Sequence, residues 1–136
     1  MYHNELTDMR LGNINDIPVK KAKEPGYVYI GRENNRYNLT ESPLHNPYKL
    51  SDGYSQREAV LKYVDHFYTE YRETRGFEPL VNTVLGKTLL CYCVPELCHG
   101  HVIILHHAYR KRLLQDPEKS VDLEVIQNRV ENAVKQ

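Results

Sequence analysis

The stretch Gly86-Lys87-Thr88-Leu89-Leu90-Cys91-Tyr92-Cys93-Val94-Pro95-Glu96-Leu97-Cys98-His99-Gly100-His101 decides how this chain is read. Lys87 to Cys93 is largely apolar, opens after Gly86 and is stopped by Pro95, which predicts a buried strand. A helix is expected to begin near Cys98, because Val102, Leu105, Ala108 and Leu113 recur at helical spacing before Asp116-Pro117 breaks the pattern. A strand passing directly into a helix is the building unit of an α/β fold.

Upstream, Tyr27-Val28-Tyr29-Ile30 is aromatic and β-branched and lies between Gly26 and Gly31, so it reads as a second buried strand. Ser55-Gln56-Arg57-Glu58 has the capping-box form, and Val60, Tyr63, Val64, Phe67 and Tyr71 then trace one apolar helix face. Gly76 is expected to end that helix. Pro79 starts a short one with Leu80, Val81, Val84 and Leu85 inward, and Gly86 closes it. In the first 25 residues only Ile14 to Val19 suggests a strand, short and at an edge. Downstream, Leu123, Ile126 and Val130 with Ala133 or Val134 form an amphipathic stripe that either docks on the body or pairs with a second copy as a homodimer. The expected organisation is an extension over residues 1–13, a single small α/β domain over 14–114 with two or three strands covered by helices, and a C-terminal amphipathic helical segment over 115–136.

Composition narrows the function classes. The chain has 136 residues, with 18 Lys plus Arg against 18 Asp plus Glu, a pI near 7.1 and a mean hydropathy of −0.64. Zero net charge argues against sequence-independent nucleic-acid binding, leaving only the local Arg110-Lys111-Arg112 cluster, whose place near a helix C-terminus is explained by the helix dipole. Together with His106-His107 it is expected on a solvated helix face. No apolar run approaches the roughly 20 residues a membrane helix needs. Met1 to Leu6 lacks a basic region followed by an apolar stretch, so a cytoplasmic location is expected.

The chemistry concentrates in Cys91, Cys93, Cys98, His99 and His101. Cys91 and Cys93 share one strand face, and Pro95 turns the chain so that Cys98 and its histidines return toward them. Three readings stay open. Cys91, Cys93, Cys98 and His99 supply the donors of a tetrahedral zinc site. Alternatively the cysteines are small buried hydrophobes, with His99 or His101 capping the helix. In the third reading Cys98 is a reactive thiol, activated by the helix N-terminus and by His99.

A second group of residues suits an anion. Arg32 follows the first strand, Arg57 lies in the first turn of the helix capped by Ser55, and Asn46-Pro47-Tyr48 supplies an amide and a stacking ring on the loop between them. Gly86-Lys87-Thr88 imitates the end of a nucleotide-binding loop, but Val81 stands where the first glycine is required and a strand follows instead of a helix, which excludes an NTPase. The long loop from Arg32 to Tyr54 is itself a candidate functional segment.

Taken in order, Tyr29-Ile30-Gly31-Arg32, Asn46-Pro47-Tyr48, Ser55 to Val60 and the segment of form G-K-x-L-x-C-x-C-x-P-x-x-C-H-G resemble a small domain-of-unknown-function family found in bacteria and phages. The resemblance spans roughly Ile14 to Leu114. The family pattern has an aspartate where this chain has His101 and a tryptophan where it has Tyr92, so an acid–base role carried by that carboxylate does not transfer. The resemblance implies that Arg32, Asn46, Arg57, Lys87 and the cysteine–histidine segment gather at one end of the sheet. Such a gathering suits a small anionic or nucleotide-like ligand, with Cys98 and His99 as the catalytic candidates. The alternative is a zinc-stabilised, non-enzymatic interaction module.

Overall fold

The computed structural model describes residues 2–92, 96–113 and 123–132. Its centre is a mixed four-stranded sheet of β1 (Tyr2–Asn4), β2 (Met9–Asn13), β3 (Tyr27–Tyr29) and β4 (Thr88–Cys91), in the order β1-β2-β4-β3. β2, β4 and β3 run parallel, and β1 closes one edge antiparallel to β2. The helices are α1 (Val19–Ala22), α2 (Gln56–Glu73), α3 (Phe77–Thr83), α4 (His99–Leu113) and α5 (Leu123–Asn132). The expected α/β class, with a C-terminal helix, is the observed one.

β3 and β4 occupy the two stretches that the sequence marks as buried strands. Ile30 extends the β3 ladder, donating its N–H to the Leu90 carbonyl at 3.0 Å. Ser55 caps α2 with both halves of the capping box, and Val60, Tyr63, Val64 and Phe67 are buried along one face. Gly76 ends nothing itself: α2 stops at Glu73, and Gly76, at φ 90°, is the N-cap of α3.

The N-terminal part differs from expectation. Ile14–Asp16 is a single 3-10 turn, not the edge strand expected at Ile14 to Val19, and the strand lies earlier, at Met9–Asn13. Residues 1–13, read as an extension, contribute β1 and β2, which raises the strand number to four. Met-Arg-Leu-Gly-Asn has weak intrinsic β preference. It is extended because β4 offers a parallel partner, pairing Leu11 with Leu89 and burying Met9 and Leu11 completely.

Register places Leu11, Leu89 and Val28 side by side on one face of the sheet, with Cys91 and Ile30 one pleat further on. This is the face that α4 covers, and α2 and α5 pack on α4 in turn. α4 is therefore enclosed, and every residue from Cys98 to Tyr109 is buried. That overturns the solvated-face reading of His106-His107: His106 is 1% exposed and His107 6%, while Arg110 and Lys111 do reach solvent. Residue order carries no sign of this, because an imidazole buried with satisfied nitrogens looks like any polar residue in a helical pattern. His106 Nδ1 lies 2.8 Å from the Tyr68 hydroxyl, and His107 Nε2 lies 3.0 Å from the Val81 carbonyl. The stripe on α5 is used within the chain, Ile126 and Val130 being fully buried against the body. Among the described residues no helix is long and apolar enough to cross a membrane.

Close approach of α4 to the sheet requires Gly100. A Cβ there would lie 2.5 Å from Leu11 Cδ1 and 2.9 Å from Ile30 Cδ1. Helix propensity alone favours alanine by up to about 1 kcal/mol, whereas overpacking at a closed contact costs about 1–3 kcal/mol, so the clash decides the sign. Gly100→Ala is expected to lower the midpoint of thermal unfolding, and an unchanged or raised midpoint would show that the contact yields.

Burial lowers the His106 pKa from 6.5 to about 3, with the neighbouring His107 and Arg110 adding to the effect. The folded state therefore refuses a proton that the unfolded chain accepts below pH 6.5, and stability is lost as pH falls through the window from 6.5 toward 3. At pH 5 His106 alone accounts for about 2 kcal/mol. His107, lowered by its own burial, acts in the same direction. Urea unfolding at pH 7 and pH 5 should show this loss, and it should shrink in His106→Phe. An equal loss in that variant would remove His106 as its source.

Candidate functional site

Parallel strands β3 and β4 end side by side, and the chain leaves them through Ile30-Gly31-Arg32 and Cys91-Tyr92. In open α/β sheets this carboxyl edge is where a cleft forms. Tyr29 folds back over the exit from β3, its hydroxyl donating to the Arg32 carbonyl at 2.5 Å. A Cβ on residue 31 would collide with that hydroxyl, so any larger residue there must displace the Tyr29 ring from the Arg32 carbonyl. Burial, with Tyr92 beside it, raises the Tyr29 pKa, which keeps the phenol protonated as a donor. Ser42 donates its N–H to the Gly31 carbonyl at 2.9 Å and brings the long loop back across the strand ends.

Between this loop, the first turns of α2 and the strand ends lies a cleft of about 560 Å³. Arg32, Glu33, Glu41 and Lys49 bring charge to its walls, Asn46, Tyr48 and Gln56 bring amides and a ring, and Cys91, Tyr92 and His99 line it from the sheet side. Tyr48 is braced by an edge contact with Tyr54 at 5.6 Å, and the Lys62 ammonium sits 5.8 Å from its ring centre. The Gln56 side chain donates to the Leu97 carbonyl and ties α2 to the segment entering α4.

The cysteine–histidine cluster adjoins this cleft. The pleat aims Cys91 at the face covered by α4, whose first residue is His99. His99 Nδ1 lies 3.6 Å from Cys98 Sγ and 4.0 Å from Cys91 Sγ. Its Nε2 lies 2.7 Å from the Ile30 carbonyl, which only accepts, so the neutral ring carries its proton on Nε2 and turns the Nδ1 lone pair toward the sulfurs. The Tyr63 ring packs on His99 at 5.0 Å between centres. One donor atom from each of Cys91, Cys98 and His99 lies within 4.8 Å of the others, and the three could hold a metal ion. Cys93, the remaining expected ligand, lies outside the described residues.

Cys98 and His101 also form the cap of α4. The Gly100 N–H donates to Cys98 Sγ at 3.4 Å, and the Cys98 N–H donates to His101 Nδ1 at 3.0 Å. The imidazole supplies the returning half of a capping box, and the sulfur takes the amide one residue earlier than a full box would. His101 is thereby directed away from the cluster and toward Tyr2, at 4.7 Å between ring centres.

Of the residues singled out by sequence, Arg32, Asn46, Cys91 and His99 meet at the cleft. Asn46 is partly engaged already, donating to the Ala59 carbonyl and accepting from the Tyr48 N–H. Arg57 points elsewhere and pairs with Glu131 of α5 at 2.9 Å. Successive helical residues are about 100° apart, so the turn that brings Gln56 into the cleft carries Arg57 out of it. Lys87 precedes β4 at its amino end, roughly 13 Å along the strand from Cys91, and it does not line the cleft. Cys98 takes its expected place at a helix N-terminus beside imidazole, yet its side chain is fully buried and Cys91, not Cys98, lines the cleft. Sequence reasoning missed Glu33, Glu41, Lys49 and Gln56. The length of the loop from Arg32 to Tyr54 was the signal for the first three.

No curated protein and no solved structure matches the chain. A family model matches residues 17–109, a span that contains all the cleft residues and the Cys91, Cys98 and His99 cluster but leaves out β1, β2 and α5. The chain therefore belongs to the family described as domain of unknown function DUF4326.

Proposed function

We propose that the cleft binds a small phosphate-bearing, nucleotide-like molecule. The observation that carries this reading is the convergence of Arg32 and Lys49 with Tyr48 on a cleft of about 560 Å³ at the carboxyl ends of parallel strands. A guanidinium fork and an ammonium meet the needs of a phosphate. Tyr48 offers a braced face for a flat ring. Glu33 and Glu41 accept from sugar hydroxyls or exocyclic amines, and the size lies within the range of ligand pockets. On this reading Cys91 and His99 are the reactive groups that face the ligand, with Cys98 behind them.

Calorimetric titration with adenosine and guanosine monophosphates tests the reading. Arg32→Ala is expected to weaken binding at least tenfold with an unchanged melting temperature, while Arg57→Ala leaves binding as it is. Absence of binding in the parent protein, or equal binding by Arg32→Ala, would defeat the proposal.

A second reading is favoured by the orientation of His99. The Ile30 carbonyl fixes its tautomer in the manner usual for metal-bound imidazole, and the sulfur–nitrogen separations of 3.6 and 4.0 Å are near those across a tetrahedral zinc ion. We read the cluster as a zinc site that ties the end of β4 to the start of α4. Protein purified without a metal-affinity step should carry about one zinc per chain, and a chelator should lower its melting temperature, since metal affinity becomes folding free energy. Metal-free protein with unchanged stability would retire this reading.

A further inference from the structure

We infer that a metal held by Cys91, Cys98 and His99 stands open to the cleft, where an oxygen of a bound phosphate completes its coordination. The inference rests on both readings above and joins them. At the bond lengths of about 2.3 Å for sulfur and 2.1 Å for nitrogen, a tetrahedral ion separates S and N by about 3.6 Å. The observed separations from His99 Nδ1 are 3.6 and 4.0 Å and all three donors lie within 4.8 Å of one another, so an ion is seated once the donors close in by up to about 1 Å.

The placement of the donors gives the site a direction. Cys98 is fully buried against the α4 N-terminus, where the Gly100 N–H meets its sulfur. Cys91 and His99, 3% and 5% exposed, are the two that line the cleft. An ion shared among the three lies between these two cleft-lining groups, within coordination distance of a ligand in the cleft. The described residues supply three protein ligands, and three with one position left to water or substrate is the arrangement of catalytic rather than structural zinc.

Charge supports the same assignment. Two thiolates neutralise a divalent ion, so an added phosphate oxygen brings uncompensated negative charge. Arg32 and Lys49 stand on the wall of the same cleft to offset it. The ligand class is thus an oxyanion, and a phosphate monoester fits both the metal and the cations.

The test uses the full chain loaded with cobalt(II) in place of zinc, whose visible bands report coordination number and donor set. Inorganic phosphate and adenosine monophosphate are titrated in, with binding followed in parallel by calorimetry. The expected result is a saturable change in the cobalt bands, half complete at the calorimetric Kd, for either probe. Binding by calorimetry with unmoved cobalt bands would overturn the inference alone, because the metal would then be closed by a fourth protein ligand. Failure of the chain to take up cobalt would also overturn it while leaving anion binding in the cleft untouched. Failure of both probes to bind would instead remove the nucleotide reading, and the inference with it.

Discussion

The hydrogen bond from His99 Nε2 to the Ile30 carbonyl joins the first residue of α4 to the end of β3, across 69 positions of sequence. It holds the start of the central helix against the strand ends. It also sets the tautomer that directs Nδ1 at two sulfurs. Directly beside it Gly100 removes the side chain that would keep helix and sheet apart. The cleft and the cysteine–histidine cluster both depend on this closeness, because each uses atoms from the helix and from the sheet.

Burial on every side is the consequence for α4. A helix between a sheet and two other helices cannot show a polar stripe, and its two internal histidines must meet partners within the protein. They do so through Tyr68 and the Val81 carbonyl. The same helix contributes His99 to the candidate site at one end and holds buried imidazoles in its middle, so a change of pH acts on the stability of the scaffold that positions that site. Asp8 and Glu58 have lowered pKa values as well, owing first to hydrogen bonds with His3 and Ser55, and their contributions are lost only as pH falls below 3.8 and 4.5, in the lower part of the window in which the histidines act.

Much of the fold was legible in local signals. Tyr27-Val28-Tyr29 and the run ending at Cys91 are strands because apolar residues with breakers on either side have few other solutions. Ser55 to Glu58 begins a helix because its side chains satisfy free amides locally. Sequence singled out Arg32, Asn46, Cys91 and His99, from strand ends, a loop and a helix start, and the fold brings these four to one cleft. Arg57 and Lys87 stand outside that cleft, and the reasons differ. For Arg57 the outcome depended on the rotation of α2 about its axis, which packing and Glu131 decide. For Lys87 it depended on which end of a parallel strand carries the cleft.

What the sequence by itself determined is therefore the class of fold, two of the four strands, the helices with clear periodicity and the gathering of thiols and imidazoles in one short segment. These rest on interactions between near neighbours in the chain, which a reader of residues in order can follow. Tertiary structure alone decided that Met9–Asn13 is a strand, that His106 and His107 are interior, that His99 faces the sulfurs while His101 caps the helix, and that Lys49 and Gln56 join the cleft. Each of these depends on a partner distant in sequence, and the energy of a buried contact exists only once the fold has brought the two groups together.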